Sequence, residues 1–259
     1  MSEVSSSPTV TSSCSIPEDE RHGKCQTYFG DLTSHIHPSW YETFDKAKKE
    51  LDSAAVKLMK EQEEGIIIYP PKHTTFRSFL LTALSDVKCV IVGQDPYASG
   101  DATGVAFSGH GPIPVSLANI ISEVRRCYPK IPFRDPPSAC IEGWCEQGVL
   151  LINSSFTVIS GSPGAHRGRW FGLLTFIAQA IADHNSQVPW MLWGARAAKL
   201  EDMLNKKGFK EVMICGHPSP KSVHYFEKNG HFLLCDEILI NNGMDPIDWT
   251  KMSPSQIDT

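Results

Sequence analysis

Val87-Lys88-Cys89-Val90-Ile91-Val92-Gly93-Gln94-Asp95-Pro96-Tyr97 is the stretch whose reading decides the fold. A short β-branched, apolar run ends in a polar loop stiffened by proline, which reads as a strand buried on both faces followed by a sharp turn. A second stretch repeats the pattern far downstream: Val212-Met213-Ile214-Cys215 leads into Gly216-His217-Pro218-Ser219-Pro220-Lys221-Ser222. Open α/β sheets carry their chemistry at the carboxyl ends of strands. A carboxylate and an imidazole at such ends, on strands expected to be neighbours, point to an enzyme.

Working outward, strands are expected at 87–92, 148–152, 189–193 and 212–216, separated by helical patterns at about 116–127, 170–183 and 195–207. This alternation implies a single α/β domain, with a central mainly parallel four-stranded sheet and helices on both faces. Upstream, Phe44, Leu51, Ala55, Leu58 and Met59 recur at helical spacing between Trp40 and Glu64. Tyr69-Pro70-Pro71 enforces an extended stretch, and Thr75 to Leu84 is expected to be a short helix.

Residues 1–26 are rich in Ser, Thr and Pro without apolar periodicity, and are expected to form a disordered, acidic tail ahead of a catalytic domain at 27–259. The net charge of −5 argues against a nucleic-acid partner only superficially. Glu3, Glu18, Asp19 and Glu20 carry four of those charges with no basic residue among them, which leaves −1 on residues 21–259. A near-neutral body can still carry a basic groove. No apolar run of about 18 residues suggests a membrane span, and the start lacks the pattern of a secretory signal or transit peptide. The eight cysteines include no CxxC and no zinc-finger spacing. Cys89 and Cys215, inside apolar runs, read as reduced core residues. The expected address is nucleus or cytoplasm, not secretion.

Several residues could carry chemistry. Asp95, between Gln94 and Pro96, could be a simple turn residue. The loop beyond it, with Gly100, Gly104 and Gly109 around Phe107-Ser108, suits a pocket for a flat ligand. A lone His is more often structural than catalytic, but His217 lies in a loop stiffened by two prolines, whose hydroxyls and amides suit phosphate contacts. Asn153, at the end of Gly148-Val149-Leu150-Leu151-Ile152, offers a donor and an acceptor side by side, able to read an imide edge or merely to cap the strand. The Asn153-Ser154-Ser155 sequon, a Ser/His/Asp triad without a G-x-S-x-G elbow, and an incomplete dinucleotide fingerprint at Gly109-His110-Gly111 are set aside. The zinc-deaminase pattern is missing, so base chemistry is expected to need no metal or other cofactor.

Taken together, Gly93-Gln94-Asp95-Pro96-Tyr97 and His217-Pro218-Ser219-Pro220 resemble the main family of uracil-DNA glycosylases. Supporting elements are Tyr69-Pro70-Pro71, Phe107-Ser108, Leu192-Trp193-Gly194 and Pro246-Ile247-Asp248-Trp249, so the likeness spans roughly Pro38 to Lys251. The resemblance implies a base-excision-repair hydrolase that flips uracil out of single- or double-stranded DNA and cleaves its N-glycosidic bond, leaving an abasic site. It implies Asp95 and His217 as catalytic residues. Asp95 would stabilise an oxocarbenium-like sugar and position the attacking water, which requires an ionised carboxylate with polar neighbours. His217 would donate to uracil O2. By the same resemblance Phe107 stacks on the base, Asn153 pairs with uracil N3–H and O4, Tyr97 excludes the thymine methyl, and Gln94 lines the pocket. Ser116, Ser219 and Ser222 would grip phosphates, with Lys221 beside them on the DNA face. A monomer is expected, with replication or repair partners for the tail left open.

The chain departs from the family in three places. Ala98 stands where a His usually follows the Tyr. The loop from Asp95 to Phe107 is one residue short. Lys221 replaces the usual Leu wedge, and poxviral relatives that serve polymerase processivity also depart there. Two other readings therefore stay open on the sequence: a non-catalytic or weakly active DNA-binding replication accessory module, and a glycosylase for another base.

Overall fold

The computed structural model describes residues 28–134 and 136–254. The expected tail at 1–26 lies outside them. Six strands occur in chain order: β1 (Ile68–Tyr69), β2 (Cys89–Gly93), β3 (Val149–Asn153), β4 (Val158–Ile159), β5 (Trp190–Trp193) and β6 (Val212–Cys215). Four of them form the central sheet in the order β3-β2-β5-β6, and every pairing is parallel. The two-residue strands β1 and β4 pair antiparallel outside it.

The strands read as continuous apolar runs because both faces are covered. Val90, Val92, Leu150, Ile152, Trp190 and Leu192 pack to one side, with helices α1 (Lys48–Glu63) and α3 (Phe171–His184). Cys89, Ile91, Val149, Leu151, Met191 and Trp193 pack to the other, with α2 (Val115–Cys127) and α4 (His231–Asn241). Alternate residues of each strand therefore build two separate cores. The β3 edge is closed by hydroxyls and amides: Ser78 Oγ and Ala106 N–H both donate to Leu151 O, and Thr82 Oγ1 donates to Val149 O. Those bonds satisfy carbonyls that an open edge would leave unpaired. The β6 edge is less covered, and Ile214 is 40% exposed.

Three expectations change. Asp95 and His217 do not follow neighbouring strands: β5 lies between β2 and β6. The expected helix from Trp40 to Glu64 is two helices that meet at Ala47, and the one expected at 195–207 is a 3₁₀ turn, Ala197–Leu200, running into Glu201–Lys206. Cys89 is a core residue, but Cys215 is only half-buried because β6 is an edge strand. No helix among the described residues is long and apolar enough to cross a membrane.

Candidate active site

The site begins where β2 and β3 end side by side, with Gly93 paired in register to Asn153. A Cβ at position 93 would come within 2.5 Å of Asn153 Oδ1 and 2.8 Å of Phe107 Cζ. The residue must be glycine so that an amide and an aromatic ring can converge over the strand end. Asn153 is buried. Phe107 adopts the left-handed region, φ 63°, which a bulky side chain enters only when its surroundings enforce it. One enforcing contact is visible: Tyr97 Oη donates to Phe107 O at 3.0 Å. The Phe107 ring lies 5.4 Å from the Trp193 ring and 5.7 Å from the His217 ring, centroid to centroid. Burial pushes the Tyr97 phenol up, so it stays a donor.

Past Gly93, the chain is tied to the segment after β3. Ser154 N–H donates to Gly93 O, and Ser154 Oγ and Ser155 N–H donate to Gln94 O. The Gln94 side chain turns back, and Nε2 donates to Asp95 Oδ2 at 2.9 Å. The same oxygen accepts from Arg196 Nη1 at 2.5 Å. Asp95's side chain is only 4% exposed, and Oδ1 is buried with no partner among the described residues. One carboxylate oxygen is thus held by two donors and the other is left free.

His217 follows β6. Ser219 N–H donates to its Nδ1 at 3.1 Å, Ser222 Oγ donates to its carbonyl at 2.8 Å, and Asn119 Nδ2 donates to Pro218 O at 2.7 Å. Because Nδ1 accepts, the neutral ring carries its proton on Nε2. Burial, and then the Arg196 charge, lower the His217 pKa to about 4, so the ring is neutral at ordinary pH.

A cavity of about 180 Å³ joins these groups, lined among others by Gln94, Asp95, Tyr97, Phe107, Asn153 and His217. That is smaller than pockets for drug-sized ligands and suits a single small ring. Ala98 and Ser116 also line it, the latter at the start of α2. Ser219 and Ser222 do not line it. They stand half-buried on the His217 loop, their hydroxyls 3.2 Å apart, and Lys221 is exposed between them. The sequence thus singled out most of the residues that the fold brings together. It missed Arg196, which lies just beyond β5 with no local motif to mark it, and Thr75, Phe156 and Pro163 in the wall. No group of three or more His, Cys, Asp or Glu among the described residues is arranged to hold a metal ion.

Known proteins share this arrangement. The family described as "Uracil DNA glycosylase superfamily" matches residues 81–236. The uracil-DNA glycosylase of Alcelaphine herpesvirus 1 (strain C500) is 36% identical over 233 residues, which cover 86% of this chain and 86% of that protein. Its counterpart in Escherichia coli O81 (strain ED1a) is 38% identical over 202 residues, 76% of this chain and 86% of its own. The crystal structure of mimivirus uracil-DNA glycosylase superposes with a TM-score of 0.76 at 26% identity, covering 87% of this chain and 90% of that one.

Proposed function

This chain belongs to the uracil-DNA glycosylase family, and from that premise we propose that it hydrolyses the N-glycosidic bond of deoxyuridine in DNA with its own side chains as the catalytic groups. The observation that carries the reading is the half-satisfied carboxylate of Asp95, beside a base-sized cavity that His217, Asn153 and Phe107 also line.

The uracil nucleotide is flipped out of the stack and its base enters the cavity, at a cost of a few kcal/mol. The C1′–N1 bond breaks with its electron pair going to uracil, which leaves positive charge on the sugar. Asp95 Oδ1 stabilises that charge and orients a water whose oxygen bonds to C1′. The proton released from the water ends, through solvent, on the departed uracil. His217 Nε2–H donates to uracil O2 as negative charge grows there, and a preorganised donor of this kind typically contributes roughly 3–4 kcal/mol. A neutral ring suits the task, since a pKa of about 4 keeps its proton on Nε2 rather than releasing it to solvent.

Selectivity follows from the same walls. Asn153 matches the imide edge of uracil, and cytosine presents the opposite pattern, so discrimination of ~10⁴-fold or more is expected. Tyr97, anchored through Phe107 O, fills the space a thymine methyl would need. Ser116, Ser219 and Ser222 are assigned to phosphates flanking the lesion, and Lys221 to the DNA backbone. Uracil release from a synthetic oligonucleotide in EDTA tests the reading. Wild type is expected to release free uracil and leave an alkali-labile site, and Asp95→Asn to be slower by orders of magnitude. Equal rates for the two, or loss of activity in EDTA, overturns the mechanism.

A further inference from the structure

The guanidinium of Arg196 is the second donor to Asp95 Oδ2, and nothing in the family resemblance accounts for it. Arg196 follows β5 directly, on the strand that separates the Asp95 and His217 loops. Its side chain is 20% exposed, and Nη1 lies 2.5 Å from Asp95 Oδ2. The opposite side of the guanidinium is set by backbone: a Cβ at Gly164, φ 87°, would fall 2.3 Å from Nη2. The loop bearing Gly164 is itself held against the Asp95 loop, because Gly161 N–H donates to Ala98 O at 3.0 Å. Ala98 is the position where the resemblance expects a histidine, and its methyl group can donate nothing to the carboxylate.

Resting on the glycosylase reading above, we propose that Arg196 is the positioning residue for Asp95 in this chain and takes over the orienting work for which Ala98 has no group. Gln94 alone would leave the carboxylate free to rotate about its own axis. Two donors converging on Oδ2, one of them charged, fix that rotation, and Oδ1 is then the oxygen turned to the sugar and the water. A charge-assisted bond to a nearly buried carboxylate is short and directional, as this geometry requires. The same cation helps keep the His217 ring neutral, so one residue tunes both catalytic groups.

The test uses the full chain, a single-stranded uracil oligonucleotide and Arg196→Met, Arg196→Lys, Asp95→Asn and the double variant Asp95→Asn/Arg196→Met. Loss of orientation is expected to lower kcat by about 100-fold in Arg196→Met, with KM little changed. Arg196→Lys, which keeps the charge but not the fork, is expected to fall between. In the Asp95→Asn background, Arg196→Met is expected to cost nothing further, because a residue acting through Asp95 has nothing left to orient. Arg196→Met is also expected to move the acid limb of the kcat profile upward, toward the ordinary range of histidine. If Arg196→Met folds poorly, the comparison of Arg196→Lys with Arg196→Lys/Asp95→Asn decides. Losses that multiply in the double variants mark a structural role and overturn the proposal. So does a wild-type kcat in Arg196→Met while Asp95→Asn is dead, which leaves the glycosylase reading intact. A wild type that releases no uracil sinks both.

Discussion

Ser219 donates its backbone N–H to Nδ1 of His217 across 3.1 Å, and this one bond decides which nitrogen of the ring is offered to the cavity. Protonating Nδ1 would set donor against donor and release the loop between the two prolines. The lowered pKa of the ring and the geometry of the loop therefore support one state: a neutral imidazole with its proton on Nε2.

That state predicts the acid side of the pH profile. A histidine acting at its ordinary pKa would give a limb near 6.5. With His217 lowered to about 4, kcat for uracil release is expected to stay nearly flat from pH 8 down to about 5. Single-turnover rates on single-stranded substrate check this. A limb centred between pH 6 and 7 contradicts the assigned state.

Stability has its own pH dependence with the same sign. His231 is also lowered to about 4 by burial, and its Nδ1 accepts from Trp193 Nε1 at 3.1 Å. For both histidines the folded pKa lies below the unfolded value of about 6.5, so as pH falls the unfolded chain takes up protons first. Their contribution is complete above about 6.5 and is lost as pH falls through about 4. Urea denaturation at pH 7 and pH 4.5 is expected to show lower stability in acid, and His231→Gln to shrink the difference. An unchanged difference would mean that other groups govern acid unfolding.

Gly93 tests the convergence of Asn153 and Phe107 over the strand end. In Gly93→Ala the new methyl would meet Asn153 Oδ1 at 2.5 Å and Phe107 Cζ at 2.8 Å, both in a packed wall. Overpacking of this kind costs roughly 1–3 kcal/mol. Uracil excision is expected to drop well beyond what that destabilisation explains, because the amide and the ring must both leave their places. Thermal unfolding and kcat/KM on one preparation separate the two effects. Normal excision would show that the wall yields without consequence.

The strands and their loops were legible because each is a short apolar run ending in Gly or Pro. Strand order was not: runs buried on both faces look alike, and only Ile214, exposed at the β6 edge, distinguishes an outer strand from an inner one. Helix α4 escaped notice because its apolar residues run almost all round. Leu233, Leu234 and Ile240 are exposed while Phe232, Cys235 and Leu239 are buried, which blurs the 3.6-residue period. Strands β1 and β4, two residues each, are too short to carry any period. Asp95 and His217 could be singled out from their proline-stiffened loops. Arg196 could not, since its partner is 101 residues away and its neighbours are small residues.

Tyr97 separates steric exclusion from anchoring. Tyr97→Ala removes the ring and is expected to give measurable thymine release, with uracil release reduced. Tyr97→Phe keeps the ring and loses only the bond to Phe107 O, at a net cost of about 1 kcal/mol. It is expected to exclude thymine still, while relaxing Phe107 from its left-handed backbone and slowing uracil release a few-fold. Product analysis on paired uracil and thymine oligonucleotides distinguishes the variants. Thymine release by Tyr97→Phe would assign the exclusion to the position of Phe107 rather than to the Tyr97 ring.

Lys221 tests how the chain opens a duplex. It is exposed at the tip of a loop that Ser222 Oγ ties to His217 O and Asn119 Nδ2 ties to Pro218 O, so its backbone is rigid while its side chain reaches solvent. A lysine stem covers some apolar surface but keeps its ammonium group wet, so it fills the gap left by a flipped base poorly. Lys221→Leu supplies an apolar wedge of the type that partly unstacks a base step. Burying one leucine side chain is worth roughly 1.5–3 kcal/mol, and half of that gain would raise duplex excision about ten-fold. Single strands have no stack to fill, so their excision is expected to change little or to fall slightly with the lost phosphate contact. Matched single- and double-stranded substrates at one ionic strength give the comparison. Equal effects on both would mean that position 221 acts on the backbone alone and that the duplex is opened elsewhere on this face.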